Sequence, residues 1–394
     1  MQFQPTEDQK AYRDTAKRFA SEKLAPSYLE RSKGQVLDRA KLKEMGSLGL
    51  IAPDLPERFG GLGESSVTAG LITEEIAYAD FNVSYVQLVG SLMGGMVAKH
   101  ASEDISAEWL PKLIAGDAVI GIGLTEPRGG SDVANLVLRA EKSGNGWRLN
   151  GEKTSISFAT QADAVVVFAR TGDPDSGSKG VSAFFVDLNE KGIKRTHFDD
   201  IGTRPVGRGS LFFDDVYVPA ENMMAEEGRA FGKIMVGFDY SRALIGLECL
   251  GAAQASVDET WAYVQEREAF GAPIVQYQGV SFPLAEAETK LTMMRQLCYY
   301  TLDLRDRGLP HTAEAAMCKW YLPKTACEII HQCLILHGHY GYTTDLPHHQ
   351  RYNDVLGLQL GDGTAQVQKL VIAREKAGRM ALQYDPMARA AHKK

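Results

Sequence analysis

The sequence predicts an α+β protein, with a helical N-terminal part, a β-rich middle and a second helical part. Two observations support this. Before about residue 117 and after about residue 225, apolar residues recur at the three- and four-residue spacing of an α-helix. Between these points, short apolar runs alternate with Gly, Pro and Asp, as in strands joined by turns. We therefore expect three domains, over residues 1–117, 118–224 and 225–394.

The N-terminal domain begins with a capping box, Thr6-Glu7-Asp8-Gln9. Tyr12, Ala16 and Phe19 follow at helical spacing, until Pro26 ends or kinks the helix. Further helices are predicted over residues 41–48, 66–78 and 85–100.

The middle domain opens with a continuous apolar run, Val119–Leu124, which predicts a buried strand. Strand-like segments at 147–149 and 153–157 flank Asn150-Gly151, a dipeptide typical of a two-residue hairpin turn. A hairpin is therefore expected there. Further strands are predicted over residues 164–169, 181–186 and 211–218.

The C-terminal domain returns to the helical period. Long helices are predicted over residues 231–251, 252–267, 278–306, 313–337 and 364–382. The polar tail, residues 385–394, is expected to be frayed.

Composition excludes several classes of protein. Hydrophobic residues make up 44% of the 394 residues and charged residues 24%, which is typical of a globular protein. The net charge of -7 argues against a dedicated nucleic-acid binder. The five cysteines form no C-x-x-C pair and lie in helical sequence, so we expect buried free thiols and a reducing cytoplasm. No apolar signal core and no stretch approaching about 18 apolar residues is visible, so no membrane association is expected.

Two segments combine glycines with groups that can do chemistry. Gly123–Val133 follows the predicted strand, and its glycines let the backbone approach a ligand while Thr125 and Ser131 supply hydroxyls. A tight turn without a ligand is an equally good interpretation of the glycines alone. Near the C-terminus, Asp362 lies between two glycines and just before a predicted helix.

These segments resemble the signatures of the acyl-CoA dehydrogenase family. Arg267-Glu268-Ala269-Phe270-Gly271 resembles its R-x-x-F-G motif, and Gly338–Tyr342 resembles its G-G-x-G-aromatic turn. Asp362–Gln366 resembles its E-G-T-x-Q segment. The motifs occur in the family order. The resemblance implies the acyl-CoA dehydrogenase fold, with an N-terminal helical domain, a middle β-barrel or sandwich domain and a C-terminal four-helix bundle.

The resemblance also implies a reaction. Asp362 would take the α-proton of an acyl-CoA, and the β-hydrogen would leave as hydride to FAD, giving a 2-enoyl-CoA. It further implies a homotetramer (a dimer of dimers), re-oxidation by an electron-transfer flavoprotein, and no metal.

Site residues follow from the same resemblance. Arg267, Phe270 and Gln278 would reach the FAD of a neighbouring subunit. The full set of implied FAD-binding residues is Ile122, Leu124, Thr125, Ser131, Ser155, Ile156, Ser157, Arg267, Phe270, Gln278, His339, Thr364 and Gln366. The implied substrate-binding residues are Ser131, Asp239, Arg242 and Gly363.

Three departures from the family pattern bear on the substrate. Asp362 replaces the usual Glu, Gly361 replaces a frequent aromatic, and Ser155 replaces the tryptophan that covers one face of the flavin. Together they suggest a bulky or ring-shaped acyl group. The sequence most resembles the family members that oxidise cyclohexane-1-carboxyl-CoA in alicyclic acid degradation.

Alternatives remain at this point. The chain could be a same-fold flavoprotein with other chemistry, such as a monooxygenase or an enzyme for 1,4-dehydrogenation of an enoyl-CoA. It could also be an inert acyl-CoA- or FAD-binding protein. Asp80 is a second acid that could reach a pocket, although a helix N-cap is the more frequent role for such a residue.

Overall fold

The computed structural model describes residues 4–382, so the polar tail predicted to be frayed lies outside the described residues. Helices α1 to α12 span Glu7–Phe19, Tyr28–Ser32, Arg39–Ser47, Ser66–Ala79, Phe81–His100, Glu103–Ile114, Ala230–Met235, Gly237–Glu266, Gln278–Asp306, Thr312–Leu336, His348–Gly357 and Ala365–Ala377. Strands β1 to β10 span Ile120–Gly123, Arg139–Lys142, Gly146–Ile156, Ala164–Arg170, Val181–Asp187, Ile193–Arg195, Gly209–Pro219, Met223–Met224, Glu268–Ala269 and Ala272–Pro273.

In the N-terminal part, α4 and α6 pack against α5, and α1 packs against α4. The predicted capping box is present at α1, where Thr6 N donates to Gln9 Oε1 and Gln9 N donates to Thr6 Oγ1. The expectation that no segment is long and apolar enough to span a membrane was wrong for α5. However, 83% of its apolar window is buried inside the protein, as in the core helix of a globular domain.

The middle strands form one eight-stranded sheet in the order β6-β7-β3-β2-β4-β5-β8, with β1 added parallel to β4. The predicted hairpin at Asn150-Gly151 was wrong, because β3 continues through this dipeptide and pairs with β7 on both sides of it. A bulge lies opposite it on β7, where Asp214 and Asp215 together face Asn150, and Asn150 Oδ1 accepts a hydrogen bond from Asp215 N. Pairing with a distant strand therefore overrode the local turn preference.

A buried ion pair joins β3 to the loop after β1. Lys153 Nζ lies 2.8 Å from Glu126 Oε1, and both side chains are buried. Glu126 also accepts hydrogen bonds from the backbone N–H groups of Val137 and Leu138. Burial lowers the pKa of Lys153 to about 8, against the opposing effect of Glu126. The pair thus fixes the path of the Gly-rich segment over the sheet.

The C-terminal part is a bundle of the long helices α8, α9, α10 and α12. Helix α8 is one unbroken helix of 30 residues, although the sequence suggested two segments, and α4 and α5 pack against it. All five cysteines are free and buried, as expected. Helix α10 also carries a buried lysine, Lys319.

Replacing Glu126 by Gln should lower the free energy of unfolding by about 3 kcal/mol, because buried Lys153 loses its counter-charge and must either stay charged without a partner or give up its proton. Chemical denaturation measures the free energy of unfolding of each variant. Glu108→Gln is the matched control, since the Glu108–Lys112 pair has the same 2.8 Å separation but is exposed. Equal effects of the two substitutions would contradict the role assigned to burial. Adding Lys153→Met to Glu126→Gln should recover part of the loss.

Candidate active site

A cavity of about 570 Å³ lies between the β sheet, α5, α8 and the loop that carries Asp362. Four parts of the chain contribute several residues each to its wall, beside others such as Arg242 of α8. They are Tyr85, Leu88, Val89 and Leu92 from α5, Ile122, Leu124, Thr125 and Ser131 from the Gly-rich segment, Ser155, Ile156 and Ser157 from the end of β3, and Gly361, Asp362, Gly363 and Thr364 from the loop. The structure therefore brings together the C-terminal carboxylate and the Gly-rich segment, which are far apart in sequence.

The loop at 358–364 holds Asp362 in a left-handed backbone conformation, with φ at 53°. This conformation is unfavourable for a residue other than glycine, so the surroundings must maintain it. Lys319 Nζ donates to the carbonyl oxygens of Leu358, at 2.6 Å, and Gly363, at 3.2 Å. Gln368 Nε2 donates to the carbonyl oxygen of Asp362 at 3.0 Å.

Glycine is required at position 363 for two reasons. Its φ is 91°, and a Cβ there would lie 2.4 Å from Gln368 Nε2. Directly after it, Thr364 Oγ1 accepts from Val367 N and caps α12. The loop is thus fixed from both sides by contacts that sequence reasoning missed, because Lys319 and Gln368 look like ordinary helical residues.

The surroundings of Asp362 have opposing effects on the pKa of its carboxyl group. Burial raises its pKa above the usual aspartate range. The Lys319 ammonium group lowers it, followed by Arg242 and by a long hydrogen bond of 3.4 Å from Ser241 Oγ to Asp362 Oδ2. Burial in turn lowers the pKa of Lys319 to about 8, although the nearby Asp362 opposes this.

Three carboxylates line this cavity among the described residues: Asp200, Asp354 and Asp362. Asp200 is engaged by the guanidinium group of Arg208, with Arg208 Nε donating to Asp200 Oδ2 at 2.8 Å. Asp354 accepts four hydrogen bonds, so its oxygens are fully used. The donors to Asp354 are Tyr28 Oη, Asn82 Nδ2, Thr203 N and Gln350 Nε2. Only Asp362 retains a carboxylate oxygen free for a ligand in the cavity.

Asp80, the second acid considered from sequence, is a helix cap. Its Oδ1 accepts from the N–H groups of Asn82 and Val83 at the start of α5. Its Oδ2 lies 2.7 Å from Arg31 Nη2. Both oxygens are therefore engaged in structural contacts.

The part of the cavity wall formed by the Gly-rich segment and the end of β3 suits a flat ring with apolar faces and a polar edge. Ile122, Leu124 and Ile156 supply apolar surface, while Thr125 and Ser157 supply hydroxyls. Thr154 N donates to Thr125 O at 2.9 Å, so the Gly-rich segment and the end of β3 form one continuous surface. This set of donors and apolar groups fits the ring of a flavin.

Ser155 lies in a left-handed backbone conformation, with φ at 58°. The space beside this serine contains a charged group that sequence reasoning missed. Arg208 Nη1 donates to Ser155 Oγ at 2.6 Å while the same side chain pairs with Asp200. The position occupied by tryptophan in the family pattern is therefore polar here, with an ion pair next to it.

The implied ligand-binding residues fall into two groups. Arg242 lines the cavity, and its Nη1 donates to Asp239 Oδ1, whose other oxygen accepts from Thr312. A second group is exposed on the surface of the C-terminal part and outside the cavity: Arg267, Phe270, Gln278, His339 and Gln366. Phe270 is 98% exposed and also has a positive φ of 54°.

Lys319→Met should loosen the loop at 358–364, because two backbone carbonyls lose a charged donor. Removal of hydrogen bonds from a charged group costs about 1.5–3 kcal/mol, so amide hydrogen exchange in the loop should be roughly ten- to a hundredfold faster. Lys324→Met, at an exposed position of the same helix, is the control. Unchanged exchange in the Lys319 variant would show that other contacts hold the loop.

Comparison with known proteins agrees with this geometry. Family models described as the N-terminal, middle and C-terminal domains of acyl-CoA dehydrogenase match residues 6–117, 121–216 and 228–377. The chain is 34% identical over 363 residues to the short-chain specific acyl-CoA dehydrogenase, mitochondrial, of Mus musculus, covering 92% of this chain and 88% of that protein.

Solved structures give the same result. Butyryl-CoA dehydrogenase from Megasphaera elsdenii is similar at a TM-score of 0.92 and 30% identity, covering 95% of this chain and all (100%) of the other. A chain in the structure described as the electron transferring flavoprotein of Acidaminococcus fermentans is similar at a TM-score of 0.93 and 31% identity. The match covers 96% of this chain and 100% of the other. The fold and the three matched domains show that this chain belongs to the acyl-CoA dehydrogenase family, whose members are FAD-dependent oxidoreductases acting on the CH–CH group of an acyl-CoA.

Proposed function

We propose that Asp362 is the catalytic base of this acyl-CoA dehydrogenase and removes the α-proton of the thioester. The supporting observation is that, among the described carboxylates that line the cavity, Asp362 alone has an oxygen without a hydrogen-bond partner, in the same cavity as the hydroxyls of Thr125 and Ser157. A raised pKa makes the carboxylate a stronger base, and the Lys319 ammonium group keeps a useful fraction deprotonated. Gly361 and Gly363 leave room for close approach of the thioester.

FAD would be held by the cavity wall and, in part, by a neighbouring subunit. We propose that Ile122, Leu124, Thr125, Ser131, Ser155, Ile156, Ser157 and Thr364 bind it within one chain. When bound, FAD supplies the acceptor for the β-hydride. Arg267, Phe270, Gln278, His339 and Gln366 are proposed to act toward a second subunit, which is consistent with their exposure.

The CoA part of the substrate is proposed to contact Ser131, Asp239, Arg242 and Gly363. Arg242 is suited to an anionic ligand because its guanidinium group is permanently charged. Its pairing with Asp239 holds the side chain at the cavity wall. Gly363 would offer a backbone contact beside the base.

For the acyl group we propose a compact ring, with cyclohexane-1-carboxyl-CoA as the reference substrate. The support is the short Asp362 side chain together with the missing side chain at Gly361, which leaves width near the base. A short straight chain is the second candidate, because the similar proteins are named for short-chain and butyryl substrates.

The proposed assembly is a homotetramer, a dimer of dimers, located in the cytoplasm. Exposed aromatic and aliphatic side chains on the C-terminal part, such as Phe270, Tyr342 and Leu360, support burial by a second copy. An electron-transfer flavoprotein is the proposed electron acceptor. We further propose that 1–117, 118–224 and 225–394 are the three domains.

Anaerobic mixing with a panel of thioesters tests the reaction. We expect bleaching of the FAD absorbance by saturated acyl-CoA, fastest with cyclohexane-1-carboxyl-CoA. Faster bleaching by butyryl- or octanoyl-CoA would reject the ring preference. Bleaching only by an unsaturated ring thioester would indicate 1,4-dehydrogenation, and binding without bleaching would indicate an inert protein. Hydroxylated product in a parallel incubation with oxygen and a reductant would indicate a monooxygenase.

Asp362→Asn should retain FAD and bind acyl-CoA. The rate at which acyl-CoA bleaches the FAD should fall about a thousandfold or more, because no carboxylate remains to accept the proton. Stopped-flow absorbance measures the rate, and Asp345→Asn on an exposed loop is the control. Residual activity close to that of the wild type would place the base elsewhere.

The pH dependence should report the environment of Asp362. Because burial raises its pKa, the bleaching rate should fall on acidification at a pH above that expected for an ordinary aspartate. Lys319→Met removes a cation that favours the carboxylate, so it should move this acid limb to still higher pH. Lys324→Met should leave the limb in place. A downward shift in the Lys319 variant would contradict the proposed coupling.

A further inference from the structure

Tyr85 is a polar residue in the cavity to which the sequence assigned no role. It lies on α5 in one helical stripe with Leu88, Val89 and Leu92, and all of them line the cavity. Its ring packs edge-on against Phe158, with centroids 5.8 Å apart and planes at 63°. The ring is therefore anchored, so its hydroxyl has a fixed position.

The hydroxyl of Tyr85 contacts the wall that fits a flavin. Ser157 Oγ donates to Tyr85 Oη at 3.3 Å across the junction between α5 and the end of β3. Burial, and then the charge of Asp362, raises the pKa of Tyr85 well above its ordinary value. The group therefore remains a neutral phenol at working pH, able to donate or accept a hydrogen bond.

A serine at position 157 needs such a partner. Threonine, the residue in the family pattern, is β-branched and restricted at χ1, whereas serine rotates more freely. A hydrogen bond to an anchored phenol restricts the serine in another way. The ring of Tyr85 also lines the same cavity as Asp362 and Gly361, close enough for the Asp362 charge to act on its hydroxyl.

We propose that Tyr85 is a positioning and specificity residue: its hydroxyl fixes the Ser157 rotamer at the flavin edge, and its ring limits the space for the acyl group. This inference rests on the proposed function for the identity of the ligands. It assigns the two roles to different atoms of one side chain. The hydroxyl and the ring can therefore be tested separately.

Tyr85→Phe removes only the hydroxyl. The visible absorbance spectrum of oxidised FAD should shift, and bleaching by the preferred acyl-CoA should slow about fivefold, as expected for loss of one hydrogen bond, while the Kd for that thioester changes less than about twofold. Adding Ser157→Thr should restore both spectrum and rate, because the branched side chain restores the rotamer restraint. Tyr217→Phe, on β7 and outside the cavity, is the control.

Tyr85→Leu removes the ring width as well. The preference among acyl-CoA substrates should move toward larger groups, with octanoyl-CoA gaining about tenfold over the wild-type substrate in kcat/KM, as one or two buried methylene contacts would give. Tyr85→Phe should keep the wild-type preference. An unchanged preference in Tyr85→Leu would overturn the specificity role.

Failure of the inference is separable from failure of the proposed function. If the wild type bleaches with acyl-CoA but Tyr85→Phe matches it in spectrum and rate, the positioning role is overturned and the function stands. If no thioester bleaches the wild type, the function fails. The absorbance spectrum of oxidised FAD then still tests the positioning role. A spectral shift in Tyr85→Phe that Ser157→Thr reverses supports the role. A Tyr85→Phe spectrum identical to that of the wild type overturns it.

Discussion

The site depends on two hydrogen bonds that the Lys319 ammonium group donates to the carbonyl oxygens of Leu358 and Gly363. Asp362 occupies the left-handed backbone region, which aspartate adopts more readily than most residues but still at a cost, so surrounding contacts restrain it there. The buried cation contributes to that restraint, and of the neighbouring charges it lowers the pKa of the Asp362 carboxyl group most. Position and charge of the proposed base therefore have one common cause.

The cavity wall formed by the Gly-rich segment and the end of β3 is held in the same way. Lys153, also buried, donates to the carbonyl oxygen of Leu124 at 3.2 Å and pairs with Glu126. In both walls an ammonium group reaches from a regular element to the carbonyl oxygens of a neighbouring loop. Burial lowers the pKa of both lysines to about 8, so each loop is held by a cation whose desolvation is offset by a nearby carboxylate.

The sequence predicted those features that depend on local periodicity or on a motif. Helical spacing located the two helical parts, and the segments around Thr125 and Asp362 indicated the cavity that they form together. The prediction of a hairpin at Asn150 was wrong because β3 pairs with β7, a strand about 60 residues away that local sequence preferences do not indicate. Lys319, Tyr85 and Arg208 were missed for the same reason, since their partners Leu358, Ser157 and Ser155 lie 39, 72 and 53 residues away in sequence. Gln368 was missed although its partner Asp362 is only six residues away, because it looks like an ordinary helical residue.

Asp354 shows how the parts of the chain are joined. Its four donors come from the N-terminal helices, from α5, from the β-rich middle and from α11, so one carboxylate connects every part of the molecule next to the cavity. A hinge at this point would break several hydrogen bonds at once. The cavity should therefore behave as a rigid cleft, admitting its ligands through an opening that exists before they arrive rather than through separation of its walls.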